Sequence, residues 1–309
     1  MIRLEAVSKH YDDKVAVDDV TLVVPSGSLL GLIGPNGAGK TTTLKMLATL
    51  IKPDRGSLSI DGLDVVEDAR RVRRIIGYMP DAFGAFRGLS CEEYLVFFGR
   101  AYGLWGDGLR RRLEAVLELT ELQALRDELA QSLSTGMKQR LSLAKTLLHD
   151  PEVLLLDEPA SGLDPRARIE IRSLLRELAR MGKTVLISSH ILADLEEICS
   201  DVAIIEQGKV VWSGEVRSVL ASKVDGVLRA HIEVSPEDVE RALRLLRELP
   251  FVSTAGRDGD QRVVAETAHG ESNRLLGAFV DARIEVLAFS RDRRSLESIF
   301  LERTRGVVS

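Results

Sequence analysis

The octapeptide "GPNGAGKT", Gly34 to Thr41, sets two glycines, a lysine and a hydroxyl at the spacing G-x-x-x-x-G-K-[ST]. The chemistry served by that spelling is the holding of a phosphate chain. Glycines let backbone N–H groups turn inward around the β-phosphate. A lysine adds a point charge beside the β and γ oxygens, and a hydroxyl is placed to ligate Mg²⁺. The candidate contacts are Gly34, Pro35, Asn36, Gly37, Ala38, Gly39, Lys40, Thr41 and Thr42. Further along, "VLLLDEP" ends an apolar run in Asp157 and Glu158. Asp157, at the carboxyl end of a buried strand, is suited to hold the metal directly or through water. Glu158, pointing the other way along an extended chain, is suited to face a water that attacks the γ-phosphate. A third stretch, "LSTGMKQR" (residues 133–140), has small residues at a turn and then the first turns of a helix. That is the pattern of a second anion-holding helix N-terminus. A single nucleotide needs only one such grip, and the two lie far apart in the chain.

The elements that must position these residues are legible. "LLGLIG" is a short apolar strand feeding into the glycines, and a helix follows from Lys40 toward Leu50, ending before Pro53. Upstream, "IRLEAVSKHY" and "DVTLVVPSGSLLGLIG" read as strand and hairpin, with Pro-Ser-Gly at the turn. Residues 90–149 read as mainly helical, with capping-box patterns at Ser90 ("SCEE") and Thr120 ("TELQ"). "VLLLDEP" and "KTVLISSH" are buried strands. Between them lies a helix with Asp164 as N-cap, Pro165 in its first turn and Gly182 just past its end. Apolar strands alternating with helices predict an α/β fold with a mostly parallel sheet covered on both faces. After Ser218 the order becomes strand, helix, strand, strand, helix, strand, closed by the helix "SLESIFLERT". This predicts a nucleotide-binding domain over 1–218 and a small α+β, ferredoxin-like domain over 219–309. The second domain has no cluster of catalytic residue types, which points to an interaction or regulatory role.

Bulk properties narrow the function classes. The 309 residues, 45% hydrophobic and 29% charged, suffice for one large domain and a small one. A net charge of -5 and a pI near 5.7 argue against nucleic acid as a general partner. Cys91 and Cys199 are too few for a disulfide framework and lack metal-ligand spacing, so they read as buried hydrophobes. The opening "MIRLEAVSKH" has no apolar signal region, and no window approaches the length of a membrane span. Any pore therefore belongs to another chain. The run "RRVRR" (70–74) reads as a solvated helix face.

Together these motifs resemble those of the ATP-binding subunit of ATP-binding-cassette (ABC) transporters, over residues 1 to 218. "LSTGMKQR" corresponds to the family signature, "SGLD" with Ser161 and Asp164 to its D-loop, and His190 in "ISSH" to its switch histidine. Tyr11 stands where the family places an aromatic that stacks on adenine. The resemblance implies a P-loop NTPase cassette with a RecA-like core, an antiparallel β subdomain and a helical signature subdomain. It also implies ATP hydrolysis with ATP and Mg²⁺, Glu158 as general base or water-orienting group, and His190 contacting the γ-phosphate. In such proteins the signature of one chain closes over the ATP held by another. Ser134, Thr135 and Gly136 would thus serve a second copy, and this accounts for the second grip.

The other implied partner is a separate integral-membrane permease, with the chain peripheral on the cytoplasmic side of the membrane. The aromatic-rich segment carrying Phe83, Phe86, Phe97 and Phe98 lies where the family receives the permease's coupling helices. Two positions depart from the family pattern. Asp81, in "IGYMPDAF", replaces the usual glutamine; it keeps an oxygen ligand for the metal but is one methylene shorter and adds a negative charge. The signature has Thr135 and Met137 where "LSGGQ" is usual, while Ser134 and Gly136 remain. Both variations, with the ending "SLESIFLERT", resemble exporter subunits of the ABC-2 type. The alternative, a soluble ABC ATPase acting on ribosomes, DNA or cluster assembly, agrees less well with one cassette and an acidic balance. A small-molecule kinase would have no use for the signature.

Overall fold

A computed structural model describes residues 1–12, 14–84, 87–221, 227–268, 270–291 and 295–304; Phe86 lies outside them. The chain divides into a first unit, Met1–Val216 with the segment from Leu296, and a second, Arg217–Ser295. In the first unit, β1 (Ile2–Tyr11) and β2 (Lys14–Val24) form an antiparallel hairpin, followed by β3 (Leu29–Ile33) and α1 (Lys40–Leu47). Next come β4 (Arg55–Ile60), β5 (Leu63–Asp64), α2 (Ala69–Ile75) and β6 (Ile76–Met79). Three helices follow: α3 (Cys91–Ala101), α4 (Gly106–Leu119) and α5 (Thr135–Leu147). The alternating part is β7 (Val153–Asp157), α6 (Pro165–Arg180), β8 (Thr184–Ser189), α7 (Leu192–Ile198), β9 (Asp201–Glu206) and β10 (Lys209–Glu215), and α8 (Val216–Ala221) spans the boundary to the second unit.

Among the described residues, one sheet of this unit is antiparallel in the order β2-β1-β4-β5. The other has the order β10-β9-β3-β8-β7-β6, parallel except for β10 at its edge. Every residue of β3, β7 and β8 is buried, as expected of strands with apolar centres covered on both faces, and the burial extends to the polar Asp157, Thr184, Ser188 and Ser189 at their ends. Leu30, Leu32, Leu44, Leu155, Leu186 and Ile205 share one core with the inner face of the antiparallel sheet.

Helices α3 to α5 form the helical part. Ser90 caps α3 reciprocally: its hydroxyl accepts from Glu93 N–H at 3.2 Å and its own N–H donates to the Glu93 carboxylate at 2.9 Å. The capping box expected at Thr120 is absent. Thr120 ends α4, its hydroxyl donating back to Val116 O at 2.7 Å. Only the short turn Gln123–Leu125 follows, so there is no long helix for it to start.

The second unit contains β11 (Val227–Val234), α9 (Val239–Glu248), β12 (Val252–Arg257), β13 (Arg262–Ala268), α10 (Ser272–Asp281) and β14 (Val286–Arg291). Its sheet runs β12-β13-β11-β14, antiparallel throughout, which is the ferredoxin-like order. Val239, Ala242, Leu243 and Leu246 fall on one face of α9 and pack with Ile232, Val263 and Phe279. The closing helix α11 (Leu296–Arg303), grouped by sequence with domain 219–309, lies instead with the first unit. Leu296 N–H donates to the Glu196 carboxylate of α7 at 3.0 Å.

Candidate nucleotide site

Strands β3, β8 and β7 lie side by side in parallel, so their carboxyl ends open at one edge, and Asp157 is level with Ser188. The loop leaving β3 needs its glycines. A Cβ on Gly34 would sit 2.2 Å from Ile205 O. Gly39, at φ 108°, would bring one within 2.4 Å of Ala16 O. Helix α1 then starts with no side-chain cap and no acid in its first turn, leaving its positive dipole end for an anion. Lys40, only 5% exposed, donates to Gly34 O at 2.7 Å and Pro35 O at 3.1 Å. Its Nζ also lies 3.5 Å from the Glu158 carboxylate. Burial lowers the Lys40 pKa, and the charges of Glu158 and Asp157 oppose that shift.

Thr41 Oγ1 donates to Asp157 Oδ1 at 3.1 Å, and Ser188 Oγ donates to the same oxygen at 2.7 Å. A hydroxyl and a buried carboxylate side by side are hard oxygen donors of the kind that suits Mg²⁺. The buried Tyr78 hydroxyl has no hydrogen-bond partner among the described residues. Burial pushes its pKa up to about 12, with Asp157 and Asp81 adding to the shift. Tyr11, Asp81 and Glu158 line one cleft of about 300 Å³ with the segment Asn36 to Thr42. Tyr11 is 44% exposed at the rim of that cleft, with the Lys9 ammonium 5.7 Å from its ring centroid. The Asp81 carboxyl is held above the usual aspartate range, first by burial and then by Asp157 and Glu158; His190 opposes this.

Glu158 is placed differently from the extended conformation expected of it. β7 stops at Asp157, and Glu158 takes a left-handed backbone with φ 49°. That turn, rather than strand alternation, separates its side chain from that of Asp157. Its carboxylate lies 2.8 Å from His190 Nδ1. The D-loop hangs from the same residue, Ser161 N–H donating to Glu158 O at 3.0 Å.

The signature residues stand apart from this cleft. Ser134 caps α5, accepting from Met137 N–H at 3.3 Å, a bond that does not use its own O–H proton. Thr135 opens the helix. Gly136 is pressed against α6, where a Cβ would come 3.0 Å from that of Ala167. Asp164 caps α6 through Arg166 N–H and Ala167 N–H, both at 3.0 Å. Ser134, Gly136 and Asp164 line a second cleft of about 310 Å³, which shares no lining residue with the first. The structure therefore gathers Tyr11, Gly34 to Thr42, Asp81, Asp157, Glu158, Ser161 and His190, and leaves the signature facing elsewhere. Sequence reasoning missed Ser188 and Tyr78. Ser188 sits inside the quoted "ISSH", the last residue but one of β8, and His190 lies just past the strand's end.

A phosphate loop, a strand-end acid pair and a signature helix on a mixed α/β core define a P-loop nucleotide hydrolase. The family model for ABC transporters matches residues 17–161. Nod factor export ATP-binding protein I of Burkholderia pseudomallei (strain 1710b) is 40% identical over 223 residues, covering 72% of this chain and 73% of the relative. The uncharacterized ABC transporter ATP-binding protein YxlF of Bacillus subtilis (strain 168) is 34% identical, covering 98% of this chain and 99% of that protein. Among solved structures, an ATP-binding subunit of an ABC transporter aligns with TM-score 0.65 and 32% identity, covering 73% of this chain and 96% of that one. A dimeric bacterial cassette in a post-hydrolysis state, bound to ADP and Pi, aligns with TM-score 0.64 and 26% identity, covering 70% and 99%. The chain belongs to the ABC transporter ATP-binding family, and is an ATPase that uses ATP and Mg²⁺.

Proposed function

We propose that two copies of this chain close around two Mg-ATP and drive export through a separate membrane permease, from the cytoplasmic face of the membrane. The observation that carries this is the separation of the two clefts: Lys40 and Ser134 belong to cavities with no residue in common. A nucleotide seated in the first cleft has no signature residue among its walls, and a second copy can supply one. The post-hydrolysis relative is itself dimeric, and the Nod factor relatives are named for export.

In this reading Tyr11 stacks on adenine, while Gly34 to Thr42 wrap the phosphates. Thr41 and Asp157 hold Mg²⁺, with Asp81 as a further oxygen beside it. Glu158 accepts a proton from the attacking water, held in place by His190, which turns to the γ-phosphate. Ser134, Thr135 and Gly136 of the second copy supply N–H and O–H donors from the opposite side, and Ser161 and Asp164 line the seam. Loss of the γ-phosphate removes the shared ligand and loosens the pair. The region 219–309 is assigned an interaction or regulatory role, because both clefts are built without it.

Glu158→Gln tests the scheme. It is expected to bind ATP while hydrolysing it roughly 10²–10⁴-fold more slowly. Light scattering with saturating Mg-ATP should then give the mass of two chains. Turnover near wild type, or a single-chain mass under those conditions, overturns the reading.

A further inference from the structure

The hydroxyl of Ser188 makes two bonds that none of the sequence motifs explains. It is fully buried, donates to Asp157 Oδ1 at 2.7 Å and accepts from Glu158 N–H at 3.0 Å. A serine hydroxyl has one proton and two lone pairs, so both bonds can stand together. The two groups it joins are the acid read as metal ligand and the backbone of the acid read as proton acceptor.

The backbone bond has a clear physical task. A non-glycine residue at φ 49° sits in a sparsely populated region and keeps it only where its surroundings over-determine it. Glu158 turns out of the strand register after Asp157, so its N–H cannot continue the β7–β8 ladder. Inside the protein an unpaired N–H is costly, and Ser188 Oγ is the acceptor that takes it. The other bond gives the Asp157 carboxylate a second hydroxyl donor beside Thr41. Asp157 Oδ1 thereby accepts from two hydroxyls, at 3.1 Å and 2.7 Å, and the carboxylate is left with a single orientation.

We propose that Ser188 is the positioning residue of the hydrolytic site: its one hydroxyl locks the Asp157 carboxylate and the left-handed turn of Glu158 to each other. The metal and the water-activating carboxylate are thereby kept in a fixed relation, and the Glu158 carboxylate passes it on to His190 Nδ1 at 2.8 Å. This rests on the roles given above to Asp157 and Glu158, and Ser188 itself lines neither cleft.

The test is Ser188→Ala in the full chain, read in two ways. Outer-shell partners of metal ligands typically hold 10–100-fold in affinity or activity, so Mn²⁺ affinity of the nucleotide-bound protein, followed by electron paramagnetic resonance, should weaken by roughly tenfold. In parallel kcat should fall roughly 10–100-fold, while ATP affinity without a divalent cation stays within about twofold. Ser188→Thr, which keeps the hydroxyl, should restore both quantities. If Ser188→Ala fails to bind nucleotide without metal, the same measurements fall to Ser188→Cys, whose weak thiol donor should give intermediate values. Wild-type Mn²⁺ affinity and kcat in Ser188→Ala, or in Ser188→Cys where it stands in, overturn the proposal. So does a Thr variant as impaired as Ala, because packing would then be the cause. Should Glu158→Gln be inactive while Ser188→Ala behaves as wild type, this inference alone falls and the wider scheme stands.

Discussion

At Asp81 the chain puts a carboxylate where the family pattern has an amide, and the surroundings make that carboxylate uncomfortable. Burial, Asp157 and Glu158 all raise its pKa, so the folded chain holds its proton at a pH where the unfolded chain has lost it. By linkage, stability attributable to Asp81 falls as pH rises from the ordinary aspartate value through the raised one. Asp81→Asn should therefore melt above wild type at neutral pH without divalent cation. The gap should close as the pH drops below the ordinary aspartate pKa. Equal melting at every pH, or a wild type more stable at pH 7, contradicts this. Residues of this kind were largely legible, because phosphate and metal chemistry restricts which side chains can stand at which spacing. The turn at Glu158 was not. Its φ of 49° is set by the bond to Ser188, thirty residues away in sequence, and no local pattern around "LDEP" announces it.

Helices α6 and α7 carry the D-loop and the switch histidine at their starts, and a buried ion cluster ties them. Asp194 of α7, 5% exposed, lies 3.1 Å from Arg172 and 3.6 Å from Arg168, both on α6. Arg172 also reaches Glu197 at 2.5 Å. Removing one partner of a buried pair strands the other's charge. Arg172→Ala should cost about 3 kcal/mol in urea unfolding, the low end for such a loss because Arg168 stays. A change within about 0.5 kcal/mol would mean the cluster is effectively solvated. At this scale α6 was readable from Asp164, Pro165 and Gly182, since caps are local chemistry. Thr120 misled because the pattern S/T-x-x-Q fits a helix end as well as a start. The docking of α11 on α7 through Glu196 is a long-range contact, and the sequence carries no sign of it.

For the whole molecule, all the residues lining the two clefts precede Val216. A chain ending at Val216 should then bind ATP within about twofold of the full protein, since it keeps every residue that lines the two clefts. A loss beyond about tenfold would assign part of the site to what is removed, the second unit or α11. The α/β core and the ferredoxin-like order were both legible, because strand and helix periodicities differ sharply along this chain. That the catalytic unit spans two copies is proposed from the repetition of phosphate grips together with the family resemblance of the motifs. Its physical form, two clefts with separate walls, emerges from the three-dimensional placement of α1 and α5. Mixing two inactive variants tests that claim most directly. Lys40→Ala lacks the phosphate lysine, and Ser134→Arg blocks the signature, so each alone should fail to hydrolyse ATP in the presence of the permease. A mixed pair contains one whole site, Lys40 from one chain facing Ser134 from the other, and turnover should reappear on mixing. Hydrolysis that stays absent in the mixture, while both variants remain folded and associate with each other, would contradict the shared site.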